Sequence, residues 1–254
     1  MMHNRPAPGN SKPTGDLLKC AVLALLAAGI CDSALAERAG IVTHLSGTLS
    51  VKRADAPPKT LAVNSEVNEG DVLITQDNTY ARIKFSDEGT IVLRPNSEMK
   101  IRSYGYNATK PESDSAVMSI IKGSLRFVTG LIGKRNREKV DYSTSTATIG
   151  IRGTEGDITD CQQGSCNHLT TATGTPPRDG TYLDLHSGGA DMSTDAGSTP
   201  VIPGQTVFAG SRSDLPRILT GSEIPRLPTL PGWINQNSPN GQGIGTAKQE
   251  ECAP

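Results

Sequence analysis

The chain has 254 residues, with 25 Lys and Arg against 26 Asp and Glu and a formal net charge of −1. That balance excludes a dedicated nucleic-acid binder, which would carry a strong basic bias. Its 27 Gly and 17 Pro imply many turns between short elements, and its length allows one substantial core.

Arg5, Lys12 and Lys19 form a basic leader ahead of an unbroken apolar run at residues 21–30. That run has the length of a signal-peptide core and is too short to span a bilayer. Ala34, Leu35 and Ala36 supply a small-x-small site, so cleavage is expected after Ala36, leaving Glu37 first. Residues 1–36 are therefore read as a signal peptide of a periplasmic or secreted protein. Ile30 precedes Cys31 where a lipoprotein signal needs a small residue, so lipidation is not expected. No later run approaches about 18 apolar residues, so no membrane span is expected after cleavage. Removing Arg5, Lys12, Lys19, Asp16 and Asp32 leaves 22 basic and 24 acidic residues, still near neutral.

From Ile41 to Phe208 the pattern is β. Leu45, Leu49 and Val51 around Gly47 suggest a hairpin or bulge. Ala81, Ile83 and Phe85 alternate with Arg82 and Lys84 as in a half-buried strand. Asp87, Glu88 and Gly89 form a turn, whose carboxylates are expected to be solvated. Ile91 and Leu93 resume the alternation, Pro95 and Asn96 break it, and Met99 and Ile101 restart it. Residues 118–121, 124–128 and 140–151 read as further strands, and 107–115 as a polar loop. Residues 167–180, rich in Thr, Gly and Pro, read as an exposed insertion. Tyr182, Asp184 and His186 alternate with Leu183 and Leu185. Val201 and Ile202, then Val207 and Phe208, flank Pro203 and Gly204. Many short strands with almost no amphipathic helix imply an all-β roll, sandwich or solenoid-like stack over residues 37–210. Arg82, Lys84 and Lys100 are candidates for charges that blunt sheet edges. Pro225, Pro228, Pro231 and Pro239 rule out regular helix or central strand in the remainder, so residues 211–254 read as an extended or disordered tail. Trp233, the single tryptophan, is either a residue docking that tail onto the body or a partner anchor.

The exported chain would keep Cys161, Cys166 and Cys252. The first two flank a four-residue turn and suit a local disulfide in an oxidising compartment. A zinc site adding His168 to them would lack a fourth ligand, so no metal is assigned. Cys252 is left as a free thiol or an intermolecular bridge. No nucleophile elbow, His-Glu-x-x-His motif or phosphate-cradling loop is present, so neither catalysis nor a cofactor is expected. Asp184 and His186 share a face of one strand and are expected at the surface. Carboxylate pairs drawn from distant strands, as glycoside hydrolysis uses, are invisible to such a reading. Lys134, Arg135, Arg137 and Lys139 make a basic loop, either a solvated tip or a contact for an acidic partner or anionic glycan.

Residues 146–156 read Thr-Ala-Thr-Ile-Gly-Ile-Arg-Gly-Thr-Glu-Gly. Thr148 suits a strand, Gly150 and Gly153 permit tight bends, and Thr154 follows the second of them. Arg152 is expected to be partly buried and bonded to carbonyls, Glu155 or Asp157, as a structural rather than a ligand-binding arginine. This stretch follows residues 70–75, 87–93, 96–99 and 122–127 in an order that resembles the FecR domain family, the exported sensor domain of iron-dicitrate-type regulators. The resemblance implies an all-β domain over roughly residues 41–208. The full regulators add a cytoplasmic anti-sigma segment, a membrane helix and a receptor-facing C-terminal domain. Twenty residues precede the apolar run here, too few for an anti-sigma helix bundle. The expectation is therefore an exported, non-enzymatic module for protein interaction or signal sensing, its partner an unidentified envelope protein or glycan. The alternative is a small carbohydrate-active hydrolase or glycan-binding protein on the same scaffold.

Overall fold

A computed structural model of the chain describes Met1, residues 38–54 and residues 56–235. The expected signal peptide, Cys252 and the end of the tail lie outside the described residues. No helix among the described residues is long and apolar enough to cross a membrane.

The chain is all-β. Its strands are β1 (Arg38–Ser46), β2 (Leu49–Lys52), β3 (Lys59–Leu61), β4 (Glu66–Asn68), β5 (Val72–Thr75), β6 (Tyr80–Phe85), β7 (Thr90–Leu93), β8 (Glu98–Gly105) and β9 (Ser115–Val128). They continue as β10 (Val140–Ser143), β11 (Thr148–Ile151), β12 (Glu155–Cys161), β13 (Gly180–Ser187), β14 (Ala190–Thr194), β15 (Gly197–Val201), β16 (Thr206–Ala209) and β17 (Arg217–Ile218). Hydrogen bonding sorts them into two layers. The first runs β4-β1-β6-β7-β9-β12-β13-β16-β17. The second runs β3-β2-β5-β8-β9-β10-β11-β14-β15. The chain passes repeatedly from one layer to the other, adding a strand or two to each at every pass.

Alternation explains the core. In β6 the buried residues are Ala81, Ile83 and Phe85, with Arg82 and Lys84 outward. The inward side chains of both layers merge into one apolar cluster, with Val42, Leu93, Phe127 and Leu183 from the first and Leu49, Met99, Ile149 and Met192 from the second. Ring pairs cross between the layers: Phe85 with Tyr104 at 5.2 Å and Phe127 with Tyr142 at 5.1 Å.

β9 belongs to both layers. Its first half pairs with β8, and its second half, from Gly123, pairs with β7 and β12. Gly123 makes this transfer with φ +86, and a Cβ there would lie 2.6 Å from the Ser97 Cα. Only glycine satisfies both demands. From β9 the chain returns to the second layer, where β10 lies parallel to β9. A parallel pair needs a crossover rather than a hairpin. The short helix Leu131–Arg135 and the 3-10 turn Arg137–Lys139 supply it, so the basic stretch is a crossover and not a hairpin tip.

Three sequence expectations change here. Arg82 lies on β6 and Lys100 on β8, each between two partner strands, and Lys84 sits with Arg82 on β6; none caps a sheet edge. Strand order, which the local pattern does not carry, decides this. Gly47, at φ +82, carries the chain from β1 in the first layer to β2 in the second, so that turn is a layer change and not a hairpin. Asp87 is not solvated; it is 4% exposed. Its carboxylate accepts from the Tyr104 hydroxyl (3.0 Å) and the Gly89 and Ile132 amides (3.1 and 3.2 Å), and its carbonyl accepts from the Leu131 amide (2.7 Å). Asp87 thus ties the β6–β7 turn to the crossover helix, whereas Glu88 is exposed and pairs with Lys84 at 2.5 Å.

Candidate functional site: a polar row beneath the C-terminal segment

Strand register builds the site. In the first layer Val92 lies opposite Arg126, Arg126 opposite Asp157, Asp157 opposite Asp184, and Asp184 opposite Thr206. Cross-strand partners share a face, so β7, β9, β12, β13 and β16 present one row on the outer face of the layer. Arg94, just past β7, and His186, two residues beyond Asp184, complete it.

Asp157 is its centre. Arg94 donates from Nη2 to Oδ1 at 2.8 Å, Arg126 from Nη2 to Oδ2 at 2.7 Å, and His186 Nε2 lies 2.7 Å from Oδ2. The Arg94 and Asp157 side chains are only 5% and 4% exposed. Burial alone would raise the Asp157 carboxyl, but Arg126, Arg94 and His186 outweigh it and hold the carboxyl below its usual range. Burial likewise disfavours the Arg126 cation, yet Asp157, Glu155 and Asp184 together push its pKa up. Asp184 accepts from the Thr206 hydroxyl at 3.2 Å.

The C-terminal segment roofs this row. β17 pairs with β16, and the residues beyond it run across the outer face with a bridge between Arg226 and Thr170 and a 3-10 turn at Gly232–Asn235. Arg94 donates to the Pro228 carbonyl at 2.5 Å and Arg82 to the Ile234 carbonyl at 3.3 Å. Leu230 and Ile234 pack on Val92, with Tyr80 and Trp233 beside them, and Trp233 stacks on His44 at 6.3 Å between ring centroids. Further along, Ile224 and Leu227 pack against Tyr182, Phe208 and Leu219. This cover explains why all four residues of β16 are buried where a one-sided strand would alternate. Between roof and row lies a cavity of about 360 Å³, with Arg126, Asp184, His186 and Thr206 on one side and Pro225, Leu227 and Leu230 on the other.

Asp157, Asp184 and His186 place one ligand atom each within 4.8 Å of one another, the one such group among the described residues. A divalent cation there would sit beside Arg94 and Arg126 and compete with both for Asp157. The donor set is therefore poor for a metal.

The residues singled out in the sequence lie elsewhere. Residues 152–154 form the corner at which the chain leaves β11 in the second layer for β12 in the first. Gly153 takes φ +72. Thr154 is buried; its hydroxyl donates to the Ser187 carbonyl, and its carbonyl accepts from the Thr129 amide and hydroxyl at 3.0 and 2.9 Å. Thr148 pairs with Ser193 on β14. Gly150 makes no tight approach, its nearest prospective Cβ neighbour being the Asp141 carboxylate at 3.8 Å. Arg152 departs from expectation: its side chain is 56% exposed and pairs with Asp191, not with Glu155 or Asp157. The cause is alternation, since Ile149 and Ile151 point into the core and Gly150 and Arg152 outward. Gly150, Arg152 and Arg137 meet in a cleft of about 420 Å³ that also includes Asp141 and Asp191. Arg135 is spent within the fold, donating to Asp114 at 2.7 and 2.8 Å and to the Asn107 carbonyl, with Tyr106 4.8 Å beneath it. Lys134 is exposed. Cys161 and Cys166 are joined by a disulfide, so neither sulfur is available to a metal, and His168 is exposed.

Sequence reading missed the central pair. Arg94 and Asp157 are 63 residues apart, and only the strand order brings them together. The available signal was an outward-facing charged residue in each of several apolar strands.

Residues 71–175 match the model of the FecR protein family. No curated protein matches the chain. Two crystal structures of a candidate anti-sigma factor from Parabacteroides distasonis share 11% and 10% identity with it, with TM-scores of 0.42 and 0.41. Each alignment covers 60% of this chain and 60% of that one, so the chain spans about three fifths of those proteins. A structure described as a cell surface anchoring domain aligns over 24% of this chain and 82% of its own, with 21% identity and a TM-score of 0.24. The ordered motifs and the family match agree: residues 71–175 are similar to the FecR protein family.

Proposed function

We propose that the protein is an exported, non-enzymatic module of the cell envelope that senses or relays a signal by protein interaction. The observation that carries this reading is the FecR match over residues 71–175. The apolar run before Ala36 motivates the export part of it, and the Cys161–Cys166 disulfide suits an oxidising compartment.

The chemistry of the cavity favours interaction over hydrolysis. Glycoside cleavage by a carboxyl pair needs one partner protonated near neutral pH and the other free to attack or to activate water. Asp157 is held ionised by three basic side chains, which occupy both of its oxygens. It can serve neither as acid nor as nucleophile without breaking a buried ion pair.

Cell fractionation with N-terminal sequencing tests the compartment. The expected result is an exported protein beginning at Glu37. A full-length chain retained in the cytoplasm would overturn the proposal.

A further inference from the structure

Residues 224–234 lie on the first layer as a bound peptide lies on its receptor. The segment carries Pro225, Pro228 and Pro231, has no helix before Gly232, ends in the 3-10 turn Gly232–Asn235, and is held by two kinds of contact. Arg94 and Arg82 each donate to one of its main-chain carbonyls, at Pro228 and Ile234. Its apolar side chains enter two patches, Leu227 against Tyr182 and Phe208, and Leu230 and Ile234 against Val92. Carbonyl capture combined with apolar anchors reads an extended chain with little dependence on its detailed sequence.

The fit is incomplete. The segment leaves the cavity of about 360 Å³ open beneath it. Among the described residues, the side chains of Asp184, His186 and Arg126 bond to Thr206, to Asp157 and Glu155, and to each other, and not to the roof. A segment able to fill that space would gain contacts the present one forgoes. Such imperfect occupancy makes the strap replaceable.

We infer that this face is a recognition surface for an extended, proline-containing apolar segment of a partner protein, and that residues 224–234 occupy it in cis until that segment displaces them. The inference rests on the reading of the chain as an interaction module and names the surface and the chemistry of the partner.

The test uses the full chain. Its probe is a dye-labelled synthetic peptide of residues 222–235 carrying Trp233→Phe, so that the protein's own Trp233 remains the only tryptophan in the mixture. The tethered strap competes at an effective concentration on the order of millimolar. The variant Ile234→Asp, which puts a charge into the Val92 patch, should release it. The expected result is saturable binding to both proteins, about tenfold or more tighter for Ile234→Asp. Titration of the wild type should shift Trp233 emission to the red, and a scrambled peptide should do nothing. No saturable binding to an Ile234→Asp protein with red-shifted Trp233 would overturn the inference. So would a strap that stays docked in the variant while the peptide fails to bind. If Ile234→Asp loses its β-sheet circular dichroism, Trp233→Ala serves as the release variant, read by peptide anisotropy alone. Dimer formation in place of peptide binding would identify exchange of straps between copies and overturn the heterologous partner. Failure of the peptide with a properly exported protein would leave the envelope role standing, so the two readings fail separately.

Discussion

Asp157 faces three basic side chains with only 4% of its own side chain exposed, and the arrangement has measurable consequences. Removing one member of a buried ion pair strands the other, so Asp157→Ala should cost about 3–5 kcal/mol of folding stability, read by chemical denaturation. The pH dependence follows from the depressed carboxyl. Its folded-state pKa lies below that of the unfolded chain, so its ion pairs contribute stability above about pH 4. That contribution is lost as pH falls through the depressed value. Thermal melts from pH 7 to pH 2 should therefore show the gap between wild type and Asp157→Asn closing at the acid end; a constant gap would count against the assignment. Arg152 is the opposite case. Its pair with Asp191 is more than half exposed on the arginine side, so Arg152→Ala should cost under about 1 kcal/mol. The lone arginine of the signature looked structural because three glycines and two acidic residues surround it in sequence. Alternation along β11 sends it to the surface instead, and the buried arginine is Arg94.

At the scale of elements, the local pattern was informative where a strand has one wet face. β6 alternates cleanly, and its limits could be read directly. β9 could not be read as one strand, because Gly123 interrupts the alternation at the point where the strand changes layer. β16, and β13 as far as Leu183, mislead in another way: the C-terminal segment covers their outer face, so both faces are buried there. The two kinds of glycine can be told apart by substitution. Gly123→Ala would force a Cβ within 2.6 Å of the Ser97 Cα at φ +86, and should destabilise by about 1–3 kcal/mol or more. Gly150→Ala meets nothing closer than 3.8 Å and should stay within about 0.5 kcal/mol of wild type. Paired denaturation curves decide the matter, and equal losses at both sites would contradict the transfer of β9 at Gly123.

For the whole molecule, all-β class and the layered stack were legible in composition and spacing, while the order of the strands was not. Order decides that Arg82 and Lys100 are interior to their layers, that Arg94 meets Asp157, and that residues beyond Gly210 have a sheet face to cover. Those contacts join residues 63 to 152 positions apart, beyond the reach of any local pattern. The outcome is a two-layered β structure, FecR-like over residues 71–175, whose outer face pairs a charge-compensated polar row with an apolar patch, both under one strap. The central claim, that this face meets a protein partner in the envelope, is tested most directly by site-specific photo-crosslinking in intact cells. A photoreactive residue at His186, on the rim of the cavity, is compared with one at Ser198 on the edge strand β15 of the other layer. The expected result is a discrete protein adduct from position 186 and none from position 198. No adduct at 186, or equal adducts at both positions, would contradict the claim.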